Sequence, residues 1–283
     1  MAPRVERYMS TPVISVYPHD TVARARNLML RHRIGRLVVI DPSEKPIGII
    51  SRTDMINYFL NKRKNYRSLD EVRVEEVMNK PLITISATAS IKRASEIMLK
   101  HNISSLPVIS GEERTLIGII TSTDLIRAFR DLGSGLAKVS EYMRRDPNTV
   151  LRSHSIFYII DLINRDPDRK IIVIENQKPI GIITESDIVF IEPATLTSRD
   201  SYFKRRGYSG RGFMSVVRDY IIPLAEDIMT PNPLTVTGDE DLSVAADVMY
   251  KNRISSLPVV DSSGSLIGLV SKKSMLRAII DLL

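Results

Sequence analysis

The chain has 283 residues, of which 43% are hydrophobic and 26% are charged, and its formal net charge is +7. This composition is typical of a globular protein of about two domains and argues against a disordered or collagen-like chain. The absence of cysteine excludes disulfides, thiolate nucleophiles and cysteine-ligated metals. No apolar stretch reaches the roughly 18 residues that a membrane span needs, so we expect a soluble, cytoplasmic protein with no membrane association.

The positive charge is concentrated in the first half of the chain. Residues 1–140 contain 22 Lys and Arg against 14 Asp and Glu, whereas residues 141–283 contain 18 against 19. Nucleic acid, an acidic protein surface and a small phosphorylated ligand would all fit such a field, because each presents anions. Charge alone leaves these three partners open.

Four similar segments organise the chain. Each begins at a methionine and later contains a glycine within a short apolar run; these pairs are Met9 and Gly48, Met78 and Gly118, Met143 and Gly181, and Met229 and Gly268. Successive glycines are 70, 63 and 87 residues apart, and successive methionines are 69, 65 and 86 apart. The two landmarks move together, so whole units of about 50 residues repeat with variable connectors.

In chain order, the first unit predicts a short strand at VISV, a helix capped by Thr21, two strands at RLVVID and PIGII, and a second helix. Ser90, Ser155 and Asp241 stand at the corresponding capping position of the other units. An apolar stripe with helical spacing follows each cap and is most simply core. One β-α-β-β-α unit has little core of its own, so we expect units one and two, and units three and four, to pair with pseudo-twofold symmetry.

The repeated motifs resemble a known family. The methionine followed by proline, the strands in SSLPVIS and SSLPVVD, and the Gly-h-h-[Ser/Thr]-x-x-Asp junction between strand and helix, where h is apolar, are similar to CBS domains arranged as two tandem pairs, called Bateman modules. The layout resembles archaeal four-CBS proteins and the γ subunit of AMP-activated protein kinase. The resemblance implies an α/β fold with CBS units at 8–60, 77–130, 142–191 and 228–280, and a basic, aromatic connector at 192–227.

The resemblance also implies a ligand. CBS pairs of this kind hold AMP, ADP, ATP or S-adenosylmethionine in clefts between units, for regulation and not for catalysis. The junction Asp would accept hydrogen bonds from the ribose, and the hydroxyls at the first and third positions would contact ribose or phosphate. The residues concerned are Ser51, Arg52, Thr53 and Asp54 in unit one, Thr121, Thr123 and Asp124 in unit two, and Thr184, Ser186 and Asp187 in unit three. The same pattern is also close to a capping box, which stabilises a helix start without any ligand.

Candidate phosphate and base contacts follow from the same resemblance. Basic residues precede the LPV-type strand in the kinase γ subunit; Arg36, Arg169 and Lys170 stand there in this chain, whereas unit two has Ser104 and Ser105. The alternative for the three basic residues is a solvated position. The base would lie against the first strand, near Ile14, Ile83 and Leu234, which are otherwise core, while unit three has the less typical Asn148.

Unit four departs from the junction pattern. Its residues Ser271, Lys272, Lys273 and Ser274 place a serine where the other units have aspartate. We therefore expect a doubtful ribose site there, although the two lysines could still supply charge to a phosphate bound nearby.

The connector contains a second candidate site. Residues 199–218 have six basic residues against one acidic residue, interleaved with Tyr202, Phe203, Tyr208 and Phe213. Such a composition can bind single-stranded nucleic acid by stacking and charge. The competing interpretation is a connector that packs its aromatic residues on the modules and reaches a helix near 214–228.

Together these patterns predict a non-catalytic adenine-nucleotide sensor, of the energy-sensing kind, that regulates a partner protein such as a catalytic chain. A homodimer is possible, and the alternative function is a nucleic-acid-binding protein modulated by nucleotide. The four histidines, His19, His32, His101 and His154, lack metal-ligand spacing, and no catalytic motif or catalytic cofactor is indicated.

Overall fold

The computed structural model describes residues 3–61, 67–111, 114–189, 202–208, 214–220 and 222–283. The chain divides into two compact units. The first contains Met1–Tyr142, Asp239–Ser256 and Val270–Leu283, and the second contains Met143–Gly238 and Leu257–Leu269. None of the helices in the described ranges is long and apolar enough to cross a bilayer.

Each repeat forms strand, helix, two strands and helix, as the sequence predicts. In the first repeat these are Ser15–Val16, Val22–Arg31, Arg36–Ile40, Pro46–Ser51 and Arg52–Asn61. In the second they are Ile85–Ser86, Ile91–Lys100, Ser105–Ser110, Thr115–Thr121 and Ser122–Leu132. In the third they are Thr149–Val150, Ile156–Arg165, Lys170–Glu175, Lys178–Thr184 and Glu185–Val189. In the fourth they are Val236–Thr237, Leu242–Lys251, Ser256–Val260, Leu266–Ser271 and Lys272–Leu282. Short helical turns precede the repeats at Val5–Arg7, Val74–Glu76, Val139–Tyr142 and Ala225–Ile228.

The first helix of every repeat begins directly after its predicted cap residue, and three of the four caps make a side-chain hydrogen bond, whereas Ser155 makes none. Thr21 accepts a hydrogen bond from the Arg24 amide at 3.2 Å, and Ser90 accepts one from the Arg93 amide at 3.1 Å. Such caps satisfy amides that have no partner inside the helix. The apolar stripes behind the caps are buried and form the core of the repeats, as expected.

Each repeat has a small mixed sheet. The short first strand pairs in parallel with the second, and the second pairs antiparallel with the third; Ser15 lies opposite Val38, and Leu37 opposite Ile50. The sheet of the third repeat gains one further strand, because Thr230–Pro231 pairs with Lys178–Thr184.

The repeats pair reciprocally, one with two and three with four. The segment before the first repeat's strand crosses to its partner, where Ser10 and Ile119 exchange backbone hydrogen bonds of 2.8 and 3.1 Å. Each repeat's methionine also fills the space above its partner's glycine: a methyl group on Gly118 would lie 2.5 Å from the Met9 sulfur. In the other pair, Met143 fills the space above Gly268, so both predicted pairings are confirmed.

The first compact unit also takes in the helices of the fourth repeat. Leu242–Lys251 packs against Ser122–Leu132, and Lys272–Leu282 packs against both Ile91–Lys100 and Ser122–Leu132. The start of the last helix therefore lies among elements of the second repeat.

The predicted helix near 214–228 is wrong over most of its length. Met214–Tyr220 is a strand that pairs antiparallel with Tyr202–Tyr208, and helix is found only at Ala225–Ile228. β-branched and aromatic residues in this segment favour the extended conformation. The remainder of the candidate segment, at 199–201 and 209–213, lies outside the described residues.

Candidate functional site

The strand-to-helix junctions have the geometry of capping boxes. In the first repeat, Asp54 Oδ2 accepts hydrogen bonds from the Ser51 amide at 2.8 Å and the Ser51 hydroxyl at 2.5 Å. The Asp54 amide returns a bond of 3.3 Å to Ser51 Oγ. Thr121 and Asp124 repeat these contacts at 2.8, 2.7 and 3.3 Å. The capping role that the sequence left open is thus present, and it fixes the orientation of each carboxylate.

Capping occupies only one oxygen of each carboxylate. Asp54 Oδ1 accepts no hydrogen bond from any described residue, while Asp124 Oδ1 receives only a long bond of 3.4 Å from Ser10 Oγ. Asp54 is half-buried, and Asp124 retains 8% of its exposed surface. Each junction therefore keeps an oriented acceptor for a further donor, such as a sugar hydroxyl.

Arg36 extends from the first repeat to the second. Its Nη1 donates a 2.7 Å hydrogen bond to Ser104 Oγ, and among the described residues no carboxylate lies within 4.0 Å of its guanidinium. Burial lowers the pKa of Arg36; Asp54 and Asp124 oppose that shift, and Arg52 adds to it. A guanidinium remains charged even so, which makes this a cation with incomplete compensation. The side chain is half-buried and not the solvated strand-edge residue of the alternative reading.

Arg52 lies beside Gly35, which directly precedes the strand Arg36–Ile40. Its Nη2 is 3.3 Å from the position that a methyl group on Gly35 would take, so the glycine leaves room for the guanidinium next to Arg36. Arg52 is exposed, as is its neighbour Thr53, and no carboxylate in the described ranges pairs with it. Two arginines and Asp54 thus come together at the first junction.

A lysine from the fourth repeat reaches the second junction. Lys272 Nζ donates a 2.7 Å hydrogen bond to Thr123 Oγ1, the third-position hydroxyl. Its neighbour Lys273 instead donates to Asn102 Oδ1 at 2.8 Å. The second junction therefore has cations from the first and fourth repeats, close to Ser104 and Thr123 respectively. Ser105, which follows Ser104, is buried.

The two serines of the fourth junction are buried and are joined by a hydrogen bond. Ser271 and Ser274 are each 3% exposed, and the Ser271 amide donates to Ser274 Oγ at 3.3 Å. This junction supplies a helix cap but no carboxylate for a ribose.

The third repeat has a different arrangement around a buried carboxylate. The Asp166 side chain is fully buried; its Oδ2 accepts from Arg144 Nη2 at 2.8 Å and from Asn148 Nδ2 at 2.9 Å. Its Oδ1 accepts from the amides of Asp168 and Lys170 at 2.9 and 3.3 Å. Arg144 also pairs with Asp168 at 3.2 Å. The sequence did not indicate that Arg144 and Asp166 pair. The polar turn NRDPD contains Asp166, but nothing in that turn shows which residue lies opposite its carboxylate.

The candidate cations of the third repeat are engaged locally. Arg169 is exposed and lies 3.5 Å from Glu185, while Lys170 Nζ donates to the Asp168 carbonyl at 3.4 Å. Thr184 caps its helix through Asp187, with both hydrogen bonds at 2.7 Å. The side chain of Ser186 lies outside the described ones.

The candidate base-contacting residues differ between repeats. Ile14 packs against the core cluster of the first repeat, Ile83 is half-buried, and Leu234 is 48% exposed. Asn148 takes the position of Ile14 in the third repeat and is held by Asp166. The first repeat thus combines an apolar strand with uncompensated cations, whereas the third does not.

The described contacts of the four histidines involve none of the junction residues. His32 and His101 end helices, His19 lies 3.3 Å from Glu75, and His154 Nδ1 accepts from the Leu151 amide at 2.7 Å. Among the residues that the structure describes, no group of three or more potential ligands could hold a metal ion.

The chain belongs to the CBS domain family, whose sequence profile matches residues 5–61, 74–131, 139–192 and 225–281. It is 26% identical over 276 residues to the uncharacterized protein MJ1225 of Methanocaldococcus jannaschii, with 94% of each chain covered. The crystal structure of MJ1225, proposed there as an archaeal homologue of γ-AMPK, covers 97% of this chain and 99% of its own, with a TM-score of 0.72.

Two further proteins extend the comparison. An uncharacterized conserved protein from Pyrococcus horikoshii has the same fold, with a TM-score of 0.68 at 17% identity, over 98% of this chain and 99% of its own. Inosine-5′-monophosphate dehydrogenase of Korarchaeum cryptofilum is 35% identical over 122 residues, which cover 43% of this chain but 23% of that enzyme. CBS repeats thus occur both as the bulk of a chain and as a minor part of an enzyme.

Proposed function

We propose that this protein is a non-catalytic regulator that binds an adenine nucleotide of the AMP, ADP or ATP type between its first and second repeats. The observation that carries the proposal is Arg36, a half-buried cation that bridges the two repeats without an ion-pair partner in the described chain. It lies in the field of two carboxylates, Asp54 and Asp124, whose orientation the helix caps fix.

The chemistry of these groups matches the parts of a nucleotide. An oriented carboxylate oxygen accepts hydrogen bonds from ribose hydroxyls, and a guanidinium suits the planar, two-point recognition of phosphate. Arg36 or Arg52 would clamp the phosphate while Asp54 holds the ribose. Lys272 would add charge at the second junction through its position beside Thr123. S-adenosylmethionine carries a positive sulfonium in place of phosphate and fits this cation-rich site less well.

Regulation follows if the ligand favours one arrangement of the chain. Arg36 and Lys272 come from different repeats than Ser104 and Thr123, to which each donates one hydrogen bond, so a phosphate bound to both cations would add a further link between these repeats. A ligand shifts an equilibrium only by its difference in affinity for the two states. The partner that reads the change would be a catalytic chain in the cytoplasm, and the likeness of MJ1225 to γ-AMPK supports this choice.

Calorimetry on nucleotide-free protein tests the proposal. We expect saturable binding of AMP, ADP or ATP, weaker binding of S-adenosylmethionine, and loss of affinity in Asp54→Ala and Asp124→Ala. Because both aspartates also cap helices, Ser274→Ala, which removes part of a cap without a carboxylate, is the matched control. No saturable binding by the wild-type chain would refute nucleotide sensing. Lowered thermal stability with unchanged affinity in both Asp variants would leave capping as their only role.

A retention experiment identifies the physiological ligand. The protein is purified under native conditions and denatured, and the released small molecules are analysed by mass spectrometry. An adenine nucleotide is expected, and co-purification in the same preparation would reveal a catalytic partner chain.

A further inference from the structure

Arg36 extends from one junction to the other within the first pair of repeats. In the strand register it lies opposite Ser51, the first residue of the first junction. Its Nη1 donates a 2.7 Å hydrogen bond to Ser104 Oγ, and the Ser104 carbonyl accepts the amide of Ser122, the second residue of the second junction, at 2.9 Å. The backbone of Arg36 therefore belongs to the first junction, whereas its guanidinium reaches toward the second.

The second repeat supplies no matching cation. Ser105 takes the position of Arg36 there, because it lies opposite Thr121 as Arg36 lies opposite Ser51. Ser105 is 6% exposed and carries no charge. A symmetric pair would have two guanidinium groups at this strand position, whereas this pair has one.

Both junction carboxylates act on this single charge. Burial lowers the pKa of Arg36, and Asp54 and Asp124 each oppose that shift. A coulombic interaction weakens with distance, so the guanidinium lies within reach of both carboxylates. In the proposed function each of these carboxylates holds a ribose that carries a phosphate. The phosphate of either nucleotide can therefore approach the same guanidinium.

One guanidinium does not serve two phosphates equally well. Its planar fork recognises a single phosphate at two points, and the Ser104 hydroxyl already accepts one of its N–H groups. A phosphate bound to Arg36 also offsets its charge, so a second phosphate would find little attraction there. The second nucleotide would depend on the cation that each junction has of its own, which is Arg52 at the first and Lys272 at the second.

We propose that Arg36 is shared by the two junctions, so that AMP bound at one junction weakens the binding of AMP at the other. This inference rests on the proposed function and adds a form of regulation to it, a negative coupling between two sites of one chain. Such coupling is reciprocal, so each bound AMP lowers the affinity for the other by the same factor. Adenosine has no phosphate and binds at the two junctions independently.

Single-junction variants test whether Arg36 is shared. Asp54→Ala leaves only the second junction with its ribose acceptor, and Asp124→Ala leaves only the first. Calorimetry measures AMP binding in each variant, with and without Arg36→Gln. In both backgrounds Arg36→Gln should weaken AMP binding about 50-fold, the size expected for a charge-assisted hydrogen bond, and should leave adenosine binding nearly unchanged.

The wild-type chain gives an independent measure. AMP should bind in two steps, and the weaker step should match the affinity of a single junction that carries Arg36→Gln. In Arg36→Gln alone the tighter step should weaken and the weaker step should remain, so the two affinities converge. The ratio between the two steps should be much smaller for adenosine than for AMP.

The controls separate binding from folding. The double variant Asp54→Ala/Asp124→Ala measures any AMP binding elsewhere in the chain, which is subtracted. Arg24→Gln removes an arginine from an exposed pair with Asp20 and should leave both steps unchanged. Because both aspartates cap helices, thermal unfolding checks each variant. Asp54→Asn and Asp124→Asn, which keep an acceptor at the cap, replace any alanine variant that does not fold.

The possible failures are distinguishable. Loss of AMP affinity on Arg36→Gln in only one of the two backgrounds would assign Arg36 to that junction and overturn the sharing, while the proposed function would stand. Equal losses for AMP and adenosine, or two AMP steps of equal affinity in the wild type, would overturn it as well. No saturable AMP binding by the wild-type chain would refute both the sharing and the proposed function.

Discussion

The first and third repeats both place arginine near carboxylates, but they use the charge in opposite ways. In the first repeat, Arg36 donates a hydrogen bond to the Ser104 hydroxyl, and only the more distant charges of Asp54 and Asp124 oppose the effect of its burial. In the third repeat, Arg144 is paired with Asp166 and Asp168 at 2.8 and 3.2 Å. The cation of the first repeat remains available to an external anion, whereas that of the third is neutralised within the chain.

A cation in a repeat motif therefore becomes a binding residue only where the fold leaves its charge without a carboxylate partner. Where a hydrogen-bonded carboxylate lies nearby, as Asp166 does beside Arg144, the arginine forms an ion pair within the chain and stabilises the fold. Four predictions test this contrast, in order of decreasing effect.

The largest effect is expected from the buried carboxylate. Asp166→Ala removes the buried one of the two carboxylates that pair with Arg144, together with the acceptor of the Asn148 amide, and breaking a buried pair costs about 3–5 kcal/mol. Urea unfolding should show this loss, with AMP affinity unchanged. Asp161→Ala, which breaks an exposed pair with Arg165 on a nearby helix, should cost less than about 1 kcal/mol. A similar small loss in both variants would contradict a structural role for Asp166.

The next effect concerns the uncompensated cation. Arg36→Gln should weaken AMP binding about 50-fold, since a charged hydrogen bond contributes about 1.5–3 kcal/mol, and should leave adenosine binding nearly unchanged. Calorimetry measures both affinities. Arg24→Gln, in an exposed pair with Asp20, is the control for the change of net charge. Equal losses for AMP and adenosine would show that Arg36 does not contact phosphate.

A smaller effect is expected at the lysine of the fourth repeat. Lys272→Ala should weaken AMP binding about tenfold, because it removes one half-buried cation near Thr123. In a double-mutant cycle, this loss should vanish in an Asp124→Ala background and persist with Asp54→Ala. Lys251→Ala, on the surface of the same repeat, should have no effect. Loss that persists in both backgrounds would separate Lys272 from the second junction.

The smallest effect belongs to a carboxylate near the surface. Hydrogen bonds from the Arg73 amide and then from Arg67 lower the pKa of Glu76 to about 2. Because the folded pKa lies below the usual value, its stabilisation is complete above about pH 4.5 and disappears as the pH falls toward 2. Glu76→Gln should flatten this part of the stability profile by at most about 1 kcal/mol.

Denaturant unfolding between pH 2 and pH 6 measures that change. Glu75→Gln removes the same charge from the same turn and should leave the pH profile closer to that of the wild type. A loss as large as that of Asp166→Ala would show that exposure does not distinguish the two carboxylates.

Local patterns predicted much of the fold. The caps at Thr21 and Ser90, the apolar stripes and the reciprocal pairing all follow from spacing within a repeat and from its duplication. The junction motif likewise predicted a helix cap, and the structure adds which carboxylate oxygen the cap uses. These features depend on residues three or four positions apart, where sequence fixes geometry.

Contacts between distant residues could not be predicted in the same way. Arg36 and Ser104 are 68 residues apart, and Lys272 and Thr123 are 149 apart. Arg144 and Asp166 meet only because the strand and the helix end of the third repeat converge. The antiparallel pairing of Tyr202–Tyr208 with Met214–Tyr220 could not be predicted either, because cross-strand register is not a local property of the sequence. Where the candidate ligand groups meet is set by packing, which no single motif encodes.

The packing of Met9 over Gly118 and of Met78 over Gly48 determines how many repeats can associate in this way. Each repeat of the first pair supplies one methionine, which packs over the partner's glycine, and one glycine, over which the partner's methionine packs. The association is therefore isologous and complete at two members, unlike the head-to-tail stacking of a solenoid, which leaves a vacant end for the next unit. A side chain at either glycine would displace the methionine that packs over it. A substitution of the glycine therefore requires a compensating substitution of that methionine.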